Sequence, residues 1–359
     1  MKERKALLAF AEIYKNSRLV LATLIETQGS TYSKPGAKKL IAENGESCGM
    51  LSGGCLEGEI IELALKEISR VKIHDIDTRD ESDRFFGTGV GCQGLLRILF
   101  EPVDYSDAEQ FARTYLAYDN KKNGISLCCI SPESENYGKR RYIIQGNSPQ
   151  GSPDDSLFRE GAPASAGIMN LQHGDYFVEP WQSDLHVTIF GAGLDVEPLK
   201  ELIECMGWSL KIYEHRREWL DTRVSESWPI QFWDCNPENI MEDYKRKTVL
   251  LLMSHSYEQD MKFLYHWIQL NNPADYIGIL GPEWRKEQMC SDLVNYYHLS
   301  PEILTNYNLH GPVGDKGCGR GSQAIAISIT VELQKIFFGE NDGNGEKEAL
   351  QLASNRISL

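Results

Sequence analysis

The sequence predicts an α/β fold in two domains: an N-terminal α/β domain over residues 1–180 and a C-terminal domain with a parallel sheet over 181–339. A polar tail follows over 340–359. Three observations carry this reading. From residue 185 onward, apolar runs of strand type alternate with stretches of helical periodicity, the pattern of strands joined by crossover helices. Before residue 180 most apolar runs are of strand type and glycine-rich loops separate several of them. Within the first domain, "NSPQGSPDDSLFREGAPAS" (147–165) is rich in Pro, Gly and Ser and reads as a surface loop.

The elements follow in order. "MKERKALLAFAEIYKNSR" sets charge on both sides of a short apolar face and predicts an amphipathic first helix; it lacks the long apolar core of a signal peptide. "RLVLATLIET" predicts a strand, "QGSTYSKPG" a turn, and "AKKLIAE" the strand that pairs back. Ile60, Ile61, Ala64 and Ile68 recur at helical spacing and give the next helix one buried stripe. "RVKIHDI" and "GLLRILFEP" read as strands around a glycine loop at 87–94. A helix near 106–120 and strands at "ISLCCIS" and "KRRYIIQG" complete the first domain, and "GDYFVEPWQSD" reads as a passage to the second. There, "LHVTIF" is a buried-type strand, "GAG" a turn, and Val196, Leu199, Leu202, Ile203 and Met206 a helical stripe. "SLKIYEHR", "TVLLLMSH", a helix carrying Met261, Leu264, Tyr265 and Ile268, and "DYIGILG" continue the alternation. The last helix, "SQAIAISITVELQKIFF", stops at Gly339.

Bulk properties limit the function. A composition of 41% hydrophobic and 25% charged residues is that of a globular protein. No run approaches the roughly 18 apolar residues of a membrane span. A net charge of −15 argues against nucleic acid as the main partner, because phosphate backbones want a basic face. Nine cysteines without a CxxC pair argue against structural zinc and against a disulfide framework, and predict free thiols in a cytoplasmic protein.

The second domain begins as a dinucleotide-binding fold does. Gly191 and Gly193 follow a strand directly, Val196 stands at the third glycine position, and Glu214 occupies the place of a ribose-binding acid. This predicts a Rossmann-type fold. NAD(P) binding is a weaker expectation, since Asp195 and Glu197 place carboxylates in the first helical turn, where a pyrophosphate would sit. Asp195 is expected to cap that helix. His255 and Asp260 follow one later strand, and Gly281 and Arg285 another, on the edge where open α/β sheets bind ligands. Arg285 has the geometry to clamp a phosphate or to form an ordinary ion pair. "HGPVGDKGCGRGS" holds five glycines and sets Cys318 between Lys316 and Arg320, a flexible and locally basic loop.

The first domain carries the less ordinary loops. Ser30, Thr31 and Ser33 precede Lys34 in a turn suited to an oxyanion. "SGGCLEG" adds backbone amides at Gly53 and Gly54, with Cys55 at a helix start. "GTGVGCQG" repeats the setting with Gly91 and Cys92. Glycine costs backbone entropy on folding, so such loops usually admit a ligand or another backbone at close range. Thiolates beside such amides suit a ligand that combines a soft metal or sulfur with a phosphate. Each cysteine taken alone could equally be a small buried hydrophobe. The remaining cysteines, including Cys128 and Cys129, are assigned to the core.

Taken in order, "LATLIETQGSTYSKPGAKKLI", "GMLSGGCLEGEI", "GVGCQG", "VTIFGAGLDVEPLKELIECMGWSLKIYEHR", "SHSYEQD", "YIGILGP" and "HGPVG…AIAISITVEL" resemble the successive motifs of the xanthine dehydrogenase accessory factor (XdhC/CoxI) family, from about residue 8 to about 335. The resemblance implies a cytoplasmic, dimeric maturation factor that binds molybdenum cofactor. It also implies that the cofactor is held while a cysteine desulfurase sulfurates it and is then inserted into an apo-molybdenum hydroxylase of xanthine dehydrogenase type. Carried over by motif, Ser30, Thr31, Lys34, Gly53, Gly54, Cys55, Gly91 and Cys92 are the implied contacts, with Cys55 and Cys92 as metal ligands. The chain departs from the family at Leu194, where members often have histidine, and at Asp315–Cys318, so Gly191, Gly193, Glu214 and His255 transfer less securely. Two other functions compete: an NAD(P)-dependent oxidoreductase using His255 as acid–base and Glu214 on the ribose, and a ligand-free scaffold that docks a hydroxylase. Cys55→Ser should cripple the carrier, Glu214→Ala the oxidoreductase, and neither the scaffold.

Overall fold

The computed structural model describes residues 2–77, 94–119, 122–144, 165–171, 174–236, 240, 247–272 and 274–339. They belong to two compact units, Met1–Ser183 and Asp184–Leu359. The 87–94 loop before Gly94, with Gly91 and Cys92, most of the 147–165 loop and the 340–359 tail lie outside the described residues.

Unit 1 opens with α1 (Lys2–Ile13) and β1 (Leu19–Gly29). β1 reads as an unbroken apolar run because both its faces are covered. Val20, Ala22 and Leu24 pack with Ile60 and Ala64 of α2 (Glu57–Lys66). Leu19 and Leu21 pack with Leu7 and Ala11 of α1 and with Phe111 of α3 (Ala108–Tyr115). β2 (Lys38–Ala42), β3 (Ser47–Gly49), β4 (Lys72–Asp77) and β5 (Gly94–Val103) complete an antiparallel sheet in the order β3-β2-β1-β5-β4. The β1–β5 register shifts between Leu24 and Glu26 and then runs on to pair Gly29 with Gly94. Two glycines, Gly29 and Gly94, therefore face each other at one end of β1.

A second antiparallel sheet joins β6 (Gly124–Cys129), β7 (Arg140–Ile144), β8 (Gly167–Leu171) and β9 (Gly174–Trp181) in the order β7-β6-β9-β8. This corrects the reading of "GDYFVEPWQSD" as a passage: residues 174–181 form a central strand of unit 1. Gly174 and Pro180 disguise it, but Tyr176 and Val178 face one apolar cluster and Phe177 another. Glu179 of this strand is buried with Lys38, Arg140 and Glu101. Lys38 Nζ lies 2.7 Å from the Glu179 carboxylate, and Arg140 bridges Glu179 (2.8 Å) and Glu101 (2.7 and 3.0 Å). Arg4 reaches the same carboxylate at 3.8 Å and donates to the Gly36 carbonyl at 2.7 Å.

In unit 2, β10 (Leu185–Phe190), β11 (Ser209–Glu214), β12 (Ile230–Phe232), β13 (Lys247–Leu252), β14 (Tyr276–Ile279) and β15 (Leu309–His310) form a parallel sheet ordered β12-β11-β10-β13-β14-β15. In chain order that is 3-2-1-4-5-6, the doubly wound Rossmann arrangement. After β10 comes α4 (Val196–Met206), which buries Val196, Leu199 and Ile203 and ends in left-handed Gly207. α5 (Arg217–Ser225), α6 (Tyr257–Gln269), α7 (Glu283–Asn295), α8 (Pro301–Thr305) and α9 (Ser322–Phe338) follow. Ser256 caps α6 by accepting from the Gln259 amide.

Cys128 and Cys129 are buried as expected, whereas Cys205 and Cys235 are exposed, which corrects their assignment to the core. Cys205 lies off the buried stripe of α4, and Cys235 occupies a positive-φ turn after β12. Among the described residues no helix is long and apolar enough to cross a membrane.

Candidate functional site

In unit 1 the loops singled out by sequence converge. Ser30 and Lys34 are exposed and Thr31 is half-buried, its hydroxyl donating to the Ser33 carbonyl at 3.0 Å. The Thr31 methyl stands 2.7 Å from where a side chain on Gly94 would begin, and the Ser30 carbonyl 3.1 Å. Any residue but glycine at 94 would push residues 28–31 away from it. Tyr32 crosses to the other loop: its Cγ lies 2.9 Å from the corresponding point on Gly53, whose φ is +73°. The Ser30–Lys34 turn and the Gly53–Cys55 loop are thus in contact.

The Gly53–Cys55 loop is held from below by Glu57, the first residue of α2. One carboxylate oxygen accepts from the Leu51 amide (2.9 Å), the Ser52 amide (2.8 Å) and the Ser52 hydroxyl (3.0 Å). The other faces Lys39 Nζ at 3.0 Å. Burial works to raise the Glu57 pKa, but the Ser52 amide, Lys39 and the Leu51 amide outweigh it and hold the carboxyl below its usual range. Ser52 Oγ in turn accepts from the Leu56 amide at 3.0 Å. The loop is therefore fixed at 51, 52 and 56, and the residues between face outward. Gly53, Gly54 and Cys55 are exposed. Nothing stands within 4 Å of a side chain placed on Gly54. An exposed thiol, the exposed backbone of two glycines, a hydroxyl and a lysine suit an anionic ligand with a soft centre. No group of three or more His, Cys, Asp or Glu in metal-binding geometry exists among the described residues.

Glu57, Lys39 and Tyr32 escaped the sequence reading. The signal for Glu57 was an acid at the first position of a helix that follows a glycine loop. Tyr32 was visible only as an aromatic inside a polar turn.

In unit 2, Gly191, Gly193, Glu214 and His255 gather at the topological switch between β10 and β13. Gly191 lies under the next loop, with the Met253 carbonyl 2.4 Å from where its side chain would begin. The groups that would read a dinucleotide are engaged within the protein. Glu214 is fully buried; its Oε2 accepts from the Ala192 amide and from Arg216 (2.8 Å each), and its Oε1 accepts from the His215 and Arg216 amides and Arg216 Nε (2.9 Å each). Burial favours the acid form of Glu214, yet Arg216 and His215 hold its pKa far below the carboxylate range. Asp195 does not cap α4, which corrects that expectation: one of its oxygens is hydrogen-bonded to His255 Nε2 at 3.0 Å, and the other lies 2.7 Å from where a side chain on Gly193 would begin. Arg285 is bound to buried Asp260 at 2.7 Å, an ion pair within the protein. Cys318 is half-buried in its loop.

Glu214 thus builds the turn. Glu214→Ala is expected to destabilise unit 2 by about 3 kcal/mol, because the Ala192 amide and the Arg216 guanidinium lose their acceptor. Thermal unfolding checks this, and an unchanged midpoint would contradict it.

Residues 13–74 match the model of the XdhC and CoxI family, and residues 187–333 match the model of the XdhC Rossmann domain. The chain is 24% identical over 322 residues to a Bacillus subtilis (strain 168) protein named as a probable xanthine dehydrogenase subunit, covering 88% of this chain and 92% of that one. A crystal structure of a protein titled a xanthine dehydrogenase from Bacillus halodurans superposes with a TM-score of 0.70 at 25% identity, over 96% of this chain and 98% of the other.

Proposed function

Because the chain belongs to the XdhC and CoxI family of xanthine dehydrogenase accessory factors, we propose that it is a cytoplasmic carrier of molybdenum cofactor. It holds the cofactor in unit 1 while a cysteine desulfurase sulfurates it, and then passes it to an apo-hydroxylase of xanthine dehydrogenase type. The observation that carries this reading is the contact of the Ser30–Lys34 turn with a loop whose Gly53, Gly54 and Cys55 are exposed, the last with its thiol. The bound cofactor supplies a molybdenum–dithiolene group and a phosphate. Cys55 would hold the metal end, and Ser30, Lys34 and the backbone of Thr31, Gly53 and Gly54 would hold the phosphate. Cys92 and Gly91, two and three residues before Gly94, are proposed to complete the site. A homodimer is proposed as the working form.

The NAD(P) oxidoreductase reading has less support. The saturated Glu214 carboxylate and the Asp195 carboxylate beside Gly193 occupy the places a ribose and a pyrophosphate need. Anaerobic titration of the full chain with molybdenum cofactor tests the carrier reading. Cys55→Ser is expected to weaken binding tenfold or more, about 1.4 kcal/mol. Absence of binding to the wild type would sink the proposal.

A further inference from the structure

Tyr32 is an aromatic side chain to which the anion-binding groups around it give no task. It is 69% exposed although it stands where two glycine-softened loops meet. Its position is not that of a loosely solvated surface residue. The ring edge rests on Gly53 so closely that even a methyl group there would lie 2.9 Å from Cγ and 3.0 Å from Cδ2. Gly53 also has φ +73°, so the backbone is shaped to bring the loop under the ring. Two residues further on, Cys55 is exposed. The site therefore combines polar groups for an anion with an anchored, solvent-facing aromatic. Phosphate and metal have no use for it. A flat heterocycle does, since aromatic faces stack with π-systems.

We propose that Tyr32 is the stacking platform of the site and receives the planar, bicyclic heteroaromatic part of the ligand, with Gly53 required to seat the ring. This rests on the carrier reading and adds to it a binding residue: the ligand is held through its ring as well as through its anionic end. The ligand then lies across both loops, its ring on Tyr32 and its phosphate toward the backbone of Gly53 and Gly54.

The test uses the full chain under anaerobic conditions with two probes, metal-free molybdopterin and the molybdenum-loaded cofactor, followed by pterin fluorescence. Tyr32→Ala is expected to weaken both probes by about 10- to 100-fold, the size of a lost base–aromatic stack. Tyr32→Phe should stay within about threefold of wild type, because the ring is kept. Cys55→Ser should weaken the metal-loaded probe more than the metal-free one. If Tyr32→Ala binds both probes as wild type does while Cys55→Ser still loses the loaded cofactor, the platform is overturned and the carrier reading stands. A wild type that binds neither probe overturns both. Tyr32→Ala that impairs only association with the hydroxylase would make Tyr32 a protein contact and would also overturn the platform. An unchanged unfolding midpoint for Tyr32→Ala is expected from its exposure and separates lost contact from lost fold.

Discussion

Glu179→Gln is expected to destabilise the protein by about 3–5 kcal/mol, whereas Lys38→Met is expected to be close to neutral. The asymmetry follows from the charges in the buried cluster. Lys38, Arg140 and Arg4 supply three cations against the two carboxylates Glu179 and Glu101, so one positive charge is in excess. Removing the Glu179 charge leaves Lys38 without a carboxylate partner and Arg140 paired with Glu101 alone. Removing the Lys38 ammonium leaves two cations with two carboxylates, and methionine fills the volume. The titration of Lys38 expresses the same imbalance: burial, against the pull of Glu179, drives its pKa from 10.5 down to about 7. Between those values the unfolded chain binds a proton that the folded protein does not, so the Lys38 contribution to stability rises with pH from about 7 to about 10.5 and is flat below. Relative to Lys38→Met, the wild type should gain up to about 1.4 kcal/mol per pH unit across that window. Denaturant unfolding at pH 6, 8 and 9.5 measures it, and a pH-independent difference between the two proteins would contradict the assignment.

Glu57→Ala should act mainly on the site. It removes the acceptor of two loop amides and a hydroxyl and leaves Lys39, whose side chain is 7% exposed, without its carboxylate. A cost of about 3 kcal/mol is expected, felt first between residues 50 and 56, where the amides that Glu57 binds lie. Faster hydrogen exchange at those amides, with the β1 and β5 amides still protected, is the expected pattern, together with at least tenfold weaker cofactor binding. Uniform loss of protection throughout unit 1 would show that Glu57 supports the fold rather than the loop.

How much of this was legible depended on the range of the interactions. The unit 2 sheet was readable because its strands are continuous buried runs such as Leu185–Phe190 and its helices carry clean stripes, as Val196, Leu199 and Ile203 do. Residues 174–181 were not, because a strand containing Gly174, Glu179 and Pro180 looks polar until Lys38 and Arg140, 141 and 39 residues away, neutralise the acid. The glycine loops with Ser30, Gly53, Gly54 and Cys55 announced a site by composition. What composition left out was the support beneath them, Glu57 on Leu51 and Ser52, and the contact across them, Tyr32 on Gly53. Asp195 was misassigned as a cap for the same reason: its partner, His255, is sixty residues on, at a φ of +61°.

The central claim is that the loop ending in Cys55 holds the metal end of molybdenum cofactor. Molybdenum K-edge absorption of the loaded full-length protein, wild type beside Cys55→Ser, measures it most directly. One sulfur ligand fewer around molybdenum in the variant is the result expected. An identical coordination sphere in the two proteins, at equal loading, would contradict it.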